Sequence, residues 1–571
     1  MGNFSNIKTD IKEKIFKRGY GFQNYPKSLL NIKKINKKIE NISTEKKIRF
    51  KKICSDVKLN IELSSLSVNK NSYNIWSNLD KLNDIEDKVS AHRWIWIYRL
   101  LDEEKINKKK KFKFISESLN NWFYLFSNTT IDKRNPIFES YTISERLVLY
   151  VFLVEMKIIK PNKDQIHYLN KQFIYLTENI EFYYQKDSNH ILNNVRAIMI
   201  YAKFIQSTNH LNFFIKTLNN ICTRFIDRKG FFKFCSSHYQ FIFTKWIIDI
   251  YLYSYRSRSL KKKVNLSISA CKFFEVESKK KIIIPLFGNI SPDFSPDYIS
   301  NFINNISYYR KDINKNKIYT RLYRSKFLKS FRNFKYIDIY KNKEWKKIFN
   351  KNFTIYTRDP NLNGFEFNHG HNDYFNFVVF IKKKPFIIDI GRDNYSDNSK
   401  RYLLAKYHNS FFIGKKNPFD KFLKNSFIPN FSNNNSKNYK VKVNKLQNKI
   451  LIKYFDQKIK FARSLQILNE NNFHIKNKIK NKSSDQILML YYFATNIRIT
   501  KKKKNLILSL GNFNVKLNFI SNINYTLNKK NYYFSKIHNQ KYGDKINLNF
   551  IKIKFNRDEE INFDLNLKVK N

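Results

Sequence analysis

Between about Trp76 and Tyr255, apolar residues recur at the i, i+3, i+4 spacing of helices that bury one face. Ser144–Lys157, Asp164–Glu178, His190–Gln206, Leu211–Phe225 and His238–Tyr255 each carry the pattern. Their short connections favour antiparallel helical hairpins. Asp187-Ser188 and Ser236-Ser237 supply N-cap chemistry ahead of two of these helices. The texture changes from about 275. Lys281–Phe287 is an extended apolar run, and Gly288-Asn-Ile-Ser-Pro-Asp-Phe-Ser-Pro296 is a turn-rich connector. From about 333 short alternating runs recur, among them Phe375–Ile381, Pro385–Ile390, Ser410–Ile413, Lys449–Phe455, Ile487–Phe493, Leu506–Leu510 and Ile546–Phe555. These read as strands of a sandwich. Helices first and strands second predict two domains rather than an α/β sheet. The helical domain spans 71–332 and the β domain 333–571. A Lys/Asn-rich leader, 1–70, precedes them and reads as loosely ordered with some helix. Lys108–Lys111 and Lys501–Lys504 read as exposed loops.

Length agrees with that division, since 571 residues exceed what one core usually organises. The formal net charge of +62 would ordinarily point to nucleic acid or an anionic surface. Here Lys is spread along the whole chain together with Asn, Ile, Phe and Tyr, while Gly is 11 and Pro is 10. That is compositional drift over solvated faces, and no nucleic-acid motif accompanies it. A basic rim would still attract an acidic polymer. Four cysteines form no Cys-x-x-Cys pair, which argues against zinc ribbons and disulfide scaffolds. The start has no apolar core like a signal peptide, and no window approaches a membrane span. The expectation is a soluble cytoplasmic protein, with a periplasmic location left open.

Candidate chemistry concentrates in the strand half. Of only ten histidines, three fall in Phe367-Asn-His-Gly-His-Asn-Asp-Tyr-Phe-Asn-Phe377 and Tyr407-His-Asn409, on either side of Pro385-Phe-Ile-Ile-Asp-Ile-Gly391. His369, His371 and Asp373 share a face if their segment is extended. Imidazole and carboxylate donors of this kind suit Zn²⁺, or acid/base work, or a buried hydrogen-bond network. A simple hairpin about Lys382-Lys383-Lys384 places Asp389 opposite Asn376 or Phe377, several residues from His371. A metal triad would therefore need a bend or a neighbouring strand. In the helical half, Asn189, His190 and Tyr239 open alternate helices. Alternate helices of an up-down array are parallel, so these residues come to one mouth, beside helix N-termini that favour an anion.

These segments resemble, in order, the signature of the heparinase II/III-like family of polysaccharide lyases. The match rests on His369-Gly-His-Asn-Asp373, Pro385–Gly391 and Tyr407–Asn409 in the strand half. In the helical half it rests on Ser188-Asn-His-Ile-Leu-Asn-Asn194 and Ser236-Ser-His-Tyr-Gln240. Trp76–Trp96, Tyr141–Arg146 and Gly288–Pro296 fit weaker landmarks, and the likeness covers roughly residues 75–415. Gln240 stands where many relatives have His. The resemblance implies an incomplete (α/α) toroid followed by an antiparallel β-sandwich, with the substrate cleft between them. It implies that Asn189 and His190 meet a substrate carboxylate. Tyr239 would be the acid/base residue and His369 the second catalytic histidine. His371, Asp389 and His408 would hold a largely structural zinc, and Tyr395 would be a weaker cleft candidate. The expected activity is β-elimination on a uronic-acid polysaccharide. The alternative is a family member of surface-polysaccharide synthesis that binds or remodels an acidic glycan without efficient lysis, which the lack of a visible export signal favours.

Overall fold

The computed structural model describes residues 50–570 with interruptions, the longest being 182–188, 308–312, 360–368, 392–406, 414–438, 520–524, 534–544 and 556–559. The leader before residue 50, the cap at Asp187-Ser188 and Tyr395 lie outside the described residues. Among the described residues, eleven α-helices precede an all-antiparallel β region. None of the helices is long and apolar enough to cross a membrane.

The helices form an inner and an outer layer, and the sequence says which is which. All 17 residues of Ser237–Tyr253 are buried, as are most of Ser140–Glu155 and Asn189–Phe204. A helix apolar on every side belongs at the centre of an array. Thr208–Phe225 and Arg258–Phe274 bury one stripe and face outward with the other. Ser236 and Ser257 cap helices by accepting from backbone N–H groups of the first turn. Three inner helices are tied together by a fully buried charge network. Arg196 meets Glu145 at 2.9 Å and Asp249 at 2.9 Å, and Lys245 meets Asp249 at 2.9 Å. Two cations and two carboxylates balance, which is the condition for keeping charge in a core.

Three local expectations change. Lys108–Lys111 is not a loop: Asn107 caps a helix that runs Lys108–Phe126. Lys111 is fully buried there, donating its Nζ to the carbonyls of Leu101 and Asn316 at 3.0 Å each. Leu101 lies in the last turn of the helix Trp96–Asp102, whose carbonyls need donors, and a lysine can reach them. Lys501 and Lys502 end the strand Arg498–Lys502. Lys58–Glu62 and Ser67–Asn71, in the stretch read as a leader with some helix, form a β-hairpin.

A four-stranded sheet joins the two halves, in the order Trp345–Phe349, Phe353–Arg358, Phe377–Ile381, Lys384–Ile387. It is buried on both sides, and side-chain alternation assigns each side. Tyr356, Val378 and Phe380 join the helical core, while Ile355, Phe377, Val379 and Ile381 join the sandwich core. Beyond it lies an eight-stranded sheet. Its order is Tyr439–Lys445, Lys449–Asp456, Ile459–Asn469, Asn472–Asn481, Glu560–Lys570, Phe513–Phe519, Asn505–Leu510, Arg498–Lys502. A second four-stranded sheet holds Tyr525–Tyr533, Lys545–Phe555, Ile487–Tyr492 and Phe411–Ile413.

Candidate functional site

The inner helices Ser140–Glu155, Asn189–Phe204 and Ser237–Tyr253 run parallel. Tyr141 lies beside His190, and deeper in the array Glu145 lies beside Arg196, which meets Asp249. Their N-terminal turns therefore open at one end, carrying Tyr141, Asn189, His190 and Tyr239. The β region closes over that end through the connector 285–294. Ser237 donates its Oγ to the Pro285 carbonyl at 2.5 Å, and Ser236 donates its Oγ to the Asn289 carbonyl at 2.8 Å. The same Ser236 Oγ accepts from the Tyr239 N–H at 3.2 Å. One serine thus caps the helix and anchors the connector.

The result is a contact between residues of opposite halves. The rings of Tyr239 and His369 stack with centroids 3.6 Å apart and planes 13° from parallel. A continuous run of rings extends from this pair to the helical mouth. Tyr239 meets Phe243 at 5.3 Å, Phe243 meets Trp246 at 5.1 Å, Trp246 meets Tyr141 at 6.1 Å and Tyr141 meets His190 at 4.9 Å. Asn189, Tyr239 and His369 are each buried.

Asn289 holds the histidine segment. Its N–H donates to the His369 carbonyl at 2.7 Å, and its side-chain oxygen lies 2.8 Å from His371 Nε2. Its amide nitrogen lies 3.5 Å from His369 Nδ1. With the amide oriented so, the proton of neutral His371 sits on Nε2 and the lone pair is on Nδ1. His369 and His371 both meet Asn289, but the segment is not a strand, and Asp373 turns away to Arg358 Nη2 at 2.5 Å. Burial works against the Arg358 charge, and Asp373 more than offsets it, so the guanidinium pKa is raised.

Of His371, Asp389 and His408, the last two meet and His371 lies nearby, but among the described residues these three do not bring one donor atom each within 4.8 Å of one another. His408 Nδ1 lies 3.1 Å from Asp389 Oδ1, and the His371 and His408 rings are 5.2 Å apart. The hairpin places Asp389 against Asn376, whose Nδ2 donates to Asp389 Oδ2. A turn at Phe375, with φ of +67°, brings the chain back toward His371. This is the bend that a flat hairpin lacked. His408 is fully buried, and its Nε2 has no hydrogen-bond partner among the described residues. Burial disfavours its charged form, but Asp389 outweighs that and raises its pKa.

At the helical mouth, His190 Nδ1 lies 3.0 Å from Glu181 Oε1. Burial opposes its charged form, yet the Glu181 carboxylate lifts its pKa from 6.5 to about 9. Its side chain keeps 35% of its surface, so solvent softens this hold. One donor atom from each of Glu139, Glu181 and His190 lies within 4.8 Å of the others, a grouping that could hold a metal ion. Arg93 bonds Asp293 at 3.0 Å and Glu86 at 2.6 Å, and Tyr141 donates its hydroxyl to Asp293 at 2.6 Å. Burial and the Asp293 charge raise the Tyr141 pKa well above 10. No local pattern singles out Asn289, Asp293, Glu181 or Arg93 as site residues. Two of them sit in the turn-rich connector, where polar side chains between two domains are the available signal.

Residues 350–542 match the family described as heparinase II/III-like, C-terminal. These residues form a heparinase II/III-like C-terminal domain. No curated protein matches the chain. Among solved structures, a heparinase III shares the fold at TM-score 0.60 and 13% identity, covering 86% of this chain and 78% of that one. A mutant of the heparan sulfate lyase HepC from Pedobacter heparinus aligns at TM-score 0.53 and 13% identity, covering 96% of this chain and 89% of that one. The fold match with the heparinase III runs through the helical region as well as the antiparallel sheets of this chain.

Proposed function

We propose that this protein is a polysaccharide lyase that cleaves a uronic-acid-containing glycan by β-elimination. The observation that carries the reading is the Tyr239–His369 stack, made between the two halves and adjoining the mouth that holds Asn189 and His190. Elimination removes the weakly acidic C5 proton of a uronide and expels the C4 oxygen. The negative charge that develops on the C6 carboxylate needs stabilisation. Asn189 and His190 supply a neutral donor and a cation for that carboxylate. Tyr239 and His369 exchange protons with C5 and the leaving oxygen. The acidic substrate agrees with a chain of net charge +62.

His371, Asp389 and His408 are the residues that would hold a zinc ion. The donor set is right for it, with two imidazoles and one carboxylate. Donors about 2.0–2.2 Å from a tetrahedral ion lie roughly 3.4 Å from each other; Asp389 Oδ1 and His408 Nδ1, 3.1 Å apart, meet this, and His371 would have to close on them to complete the set. Asn289 and Asn376 act as the outer partners that orient His371 and Asp389. The ion would supply a structural cross-link at the base of the histidine segment, and no proton transfer passes through it.

The test is a screen of purified protein against uronide polymers, followed by ultraviolet absorbance of the unsaturated product. Tyr239→Phe removes one hydroxyl and should lower turnover by roughly 100-fold or more while the fold survives. Asn189→Ala should lower it through lost carboxylate stabilisation. Wild-type turnover by Tyr239→Phe would remove Tyr239 from the mechanism. Tight uronide binding with no unsaturated product would favour a glycan-binding protein.

A further inference from the structure

The turns at one end of the β half are bonded to one another. Between the strands Trp345–Phe349 and Phe353–Arg358, Asn350 donates its Nδ2 to the Asn469 carbonyl at 3.0 Å, and Asn352 donates its Nδ2 to the Glu470 carbonyl at 3.0 Å. The Asn352 carbonyl accepts the Lys382 N–H at 2.7 Å, from the turn that joins Phe377–Ile381 to Lys384–Ile387. The Ile467 N–H donates to the Asn448 carbonyl at 2.9 Å, which brings in the turn between Tyr439–Lys445 and Lys449–Asp456. Four turns from two sheets thus share one end of the sandwich.

Three large apolar side chains stand out of this end. Phe349 is 58% exposed, Leu446 61% and Leu468 49%, and the first two are the most exposed large hydrophobics among the described residues. Each sits within two residues of one of those bonds. A single exposed apolar side chain needs no explanation, but three gathered from separate turns mark a contact surface. Lysines accompany them. Lys351 and Lys383 are exposed in their turns, Lys449 closes the turn that holds Leu446, and exposed Lys568 pairs with Asn472 beside Leu468. Across residues 349–352, 382–384, 446–449 and 468–472 the sole carboxylate is Glu470.

A soluble acidic polymer would need the lysines and leave the apolar tips in water. An anionic bilayer uses both, because apolar side chains enter the boundary between headgroups and acyl chains while lysines meet the phosphates. We infer that this end of the β half docks on an anionic phospholipid bilayer, with Phe349, Leu446 and Leu468 inserted and the lysines on the headgroups. The strand Phe377–Ile381 runs from this end to Asn376, which bonds Asp389 beside the histidine segments. Five residues of strand span roughly 17 Å, so a docked chain carries the Tyr239–His369 stack away from the lipid. Docking requires no lyase activity.

The test uses the full chain with vesicles of phosphatidylcholine, alone or with one-third phosphatidylglycerol, at physiological ionic strength. Wild type should sediment with the anionic vesicles and not with the neutral ones. All six tryptophans are buried, so Phe349→Trp adds an exposed reporter. Its indole fluorescence should be quenched by lipids brominated on the acyl chain in anionic vesicles. Phe349→Ser with Leu446→Ser leaves the charge unchanged and should lower partitioning roughly tenfold or more. Lys351→Glu with Lys383→Glu should lower it by at least a similar factor. Leu322→Ser with Ile337→Ser removes comparably exposed side chains elsewhere and should leave it unchanged. Urea midpoints confirm that each variant is folded. Wild type that stays off anionic vesicles overturns the inference, as does vesicle binding without quenching of the introduced indole. Wild-type partitioning by Phe349→Ser with Leu446→Ser, with binding lost only in the lysine variant, would make the surface a general polyanion site. An equal fall in the Leu322→Ser, Ile337→Ser control would remove the docking surface from this end.

Discussion

Gly288 is where the connector crosses the histidine segment, and its replacement by alanine should be disproportionately costly. Its φ is +72°, and a Cβ there would lie 2.3 Å from the His369 carbonyl oxygen and 2.6 Å from that of Cys235. Carbon and oxygen normally approach to about 3.3 Å, so the backbone must move by roughly 1 Å. Both obstacles are main chain, and the His369 carbonyl is already bonded by the Asn289 N–H at 2.7 Å. The left-handed backbone costs about 1–2 kcal/mol for a residue with a Cβ. Loss of the Asn289 bond adds about 1 kcal/mol, and loosening of the Tyr239–His369 stack about 0.5–1.5 kcal/mol. Gly288→Ala should therefore destabilise the protein by roughly 3–4 kcal/mol. Gly391→Ala is the control. Its φ of +68° is nearly the same, but the nearest atom is the Ile290 Cδ1 at 3.4 Å, an ordinary contact. It should lose only the backbone term, about 1–2 kcal/mol. Urea denaturation followed by tryptophan fluorescence measures both variants, and the His369 imidazole signal reports whether the stack moves. Equal destabilisation by the two substitutions, with the His369 signal unshifted, would refute the reasoning.

Two further outcomes follow from the β half. Untagged protein should contain one zinc per chain, and His408→Ala should lose it, with affinity falling at low pH as the imidazoles protonate; metal analysis that finds none in folded wild type reduces the cluster to a hydrogen-bond network. Arg463 donates Nη1 to the carbonyls of Phe375 and Asn409 at 2.7 Å each, clamping the chain beside both histidine segments. Arg463→Met removes both bonds to buried carbonyls and should cost about 2–4 kcal/mol in urea denaturation, offset in part by removing a buried charge; a wild-type midpoint would show that the clamp is dispensable.

The helical half and the strand half are legible in the sequence because their signals are local. A helix of period 3.6 and a strand of period 2 declare their buried faces within a dozen residues. The Ser236 cap is visible for the same reason, and the scarcity of histidine marks out His369, His371 and His408 by composition alone. Lys108–Lys111 misleads because the charge run says nothing about the carbonyls of Leu101 and Asn316 that take in Lys111. What only the tertiary structure decides is which distant residues touch. The Tyr239–His369 stack depends on how the sheet docks on the helix ends, and Asp373 pairs with Arg358 because the strand Phe353–Arg358 ends there. Glu181 has the sequence context of any surface carboxylate, and its buried position comes from Asn194 and His190 closing around it. Periodicity specifies faces, but the contacts that set charge and orientation at a site are made between elements far apart in the chain, and no local pattern encodes them.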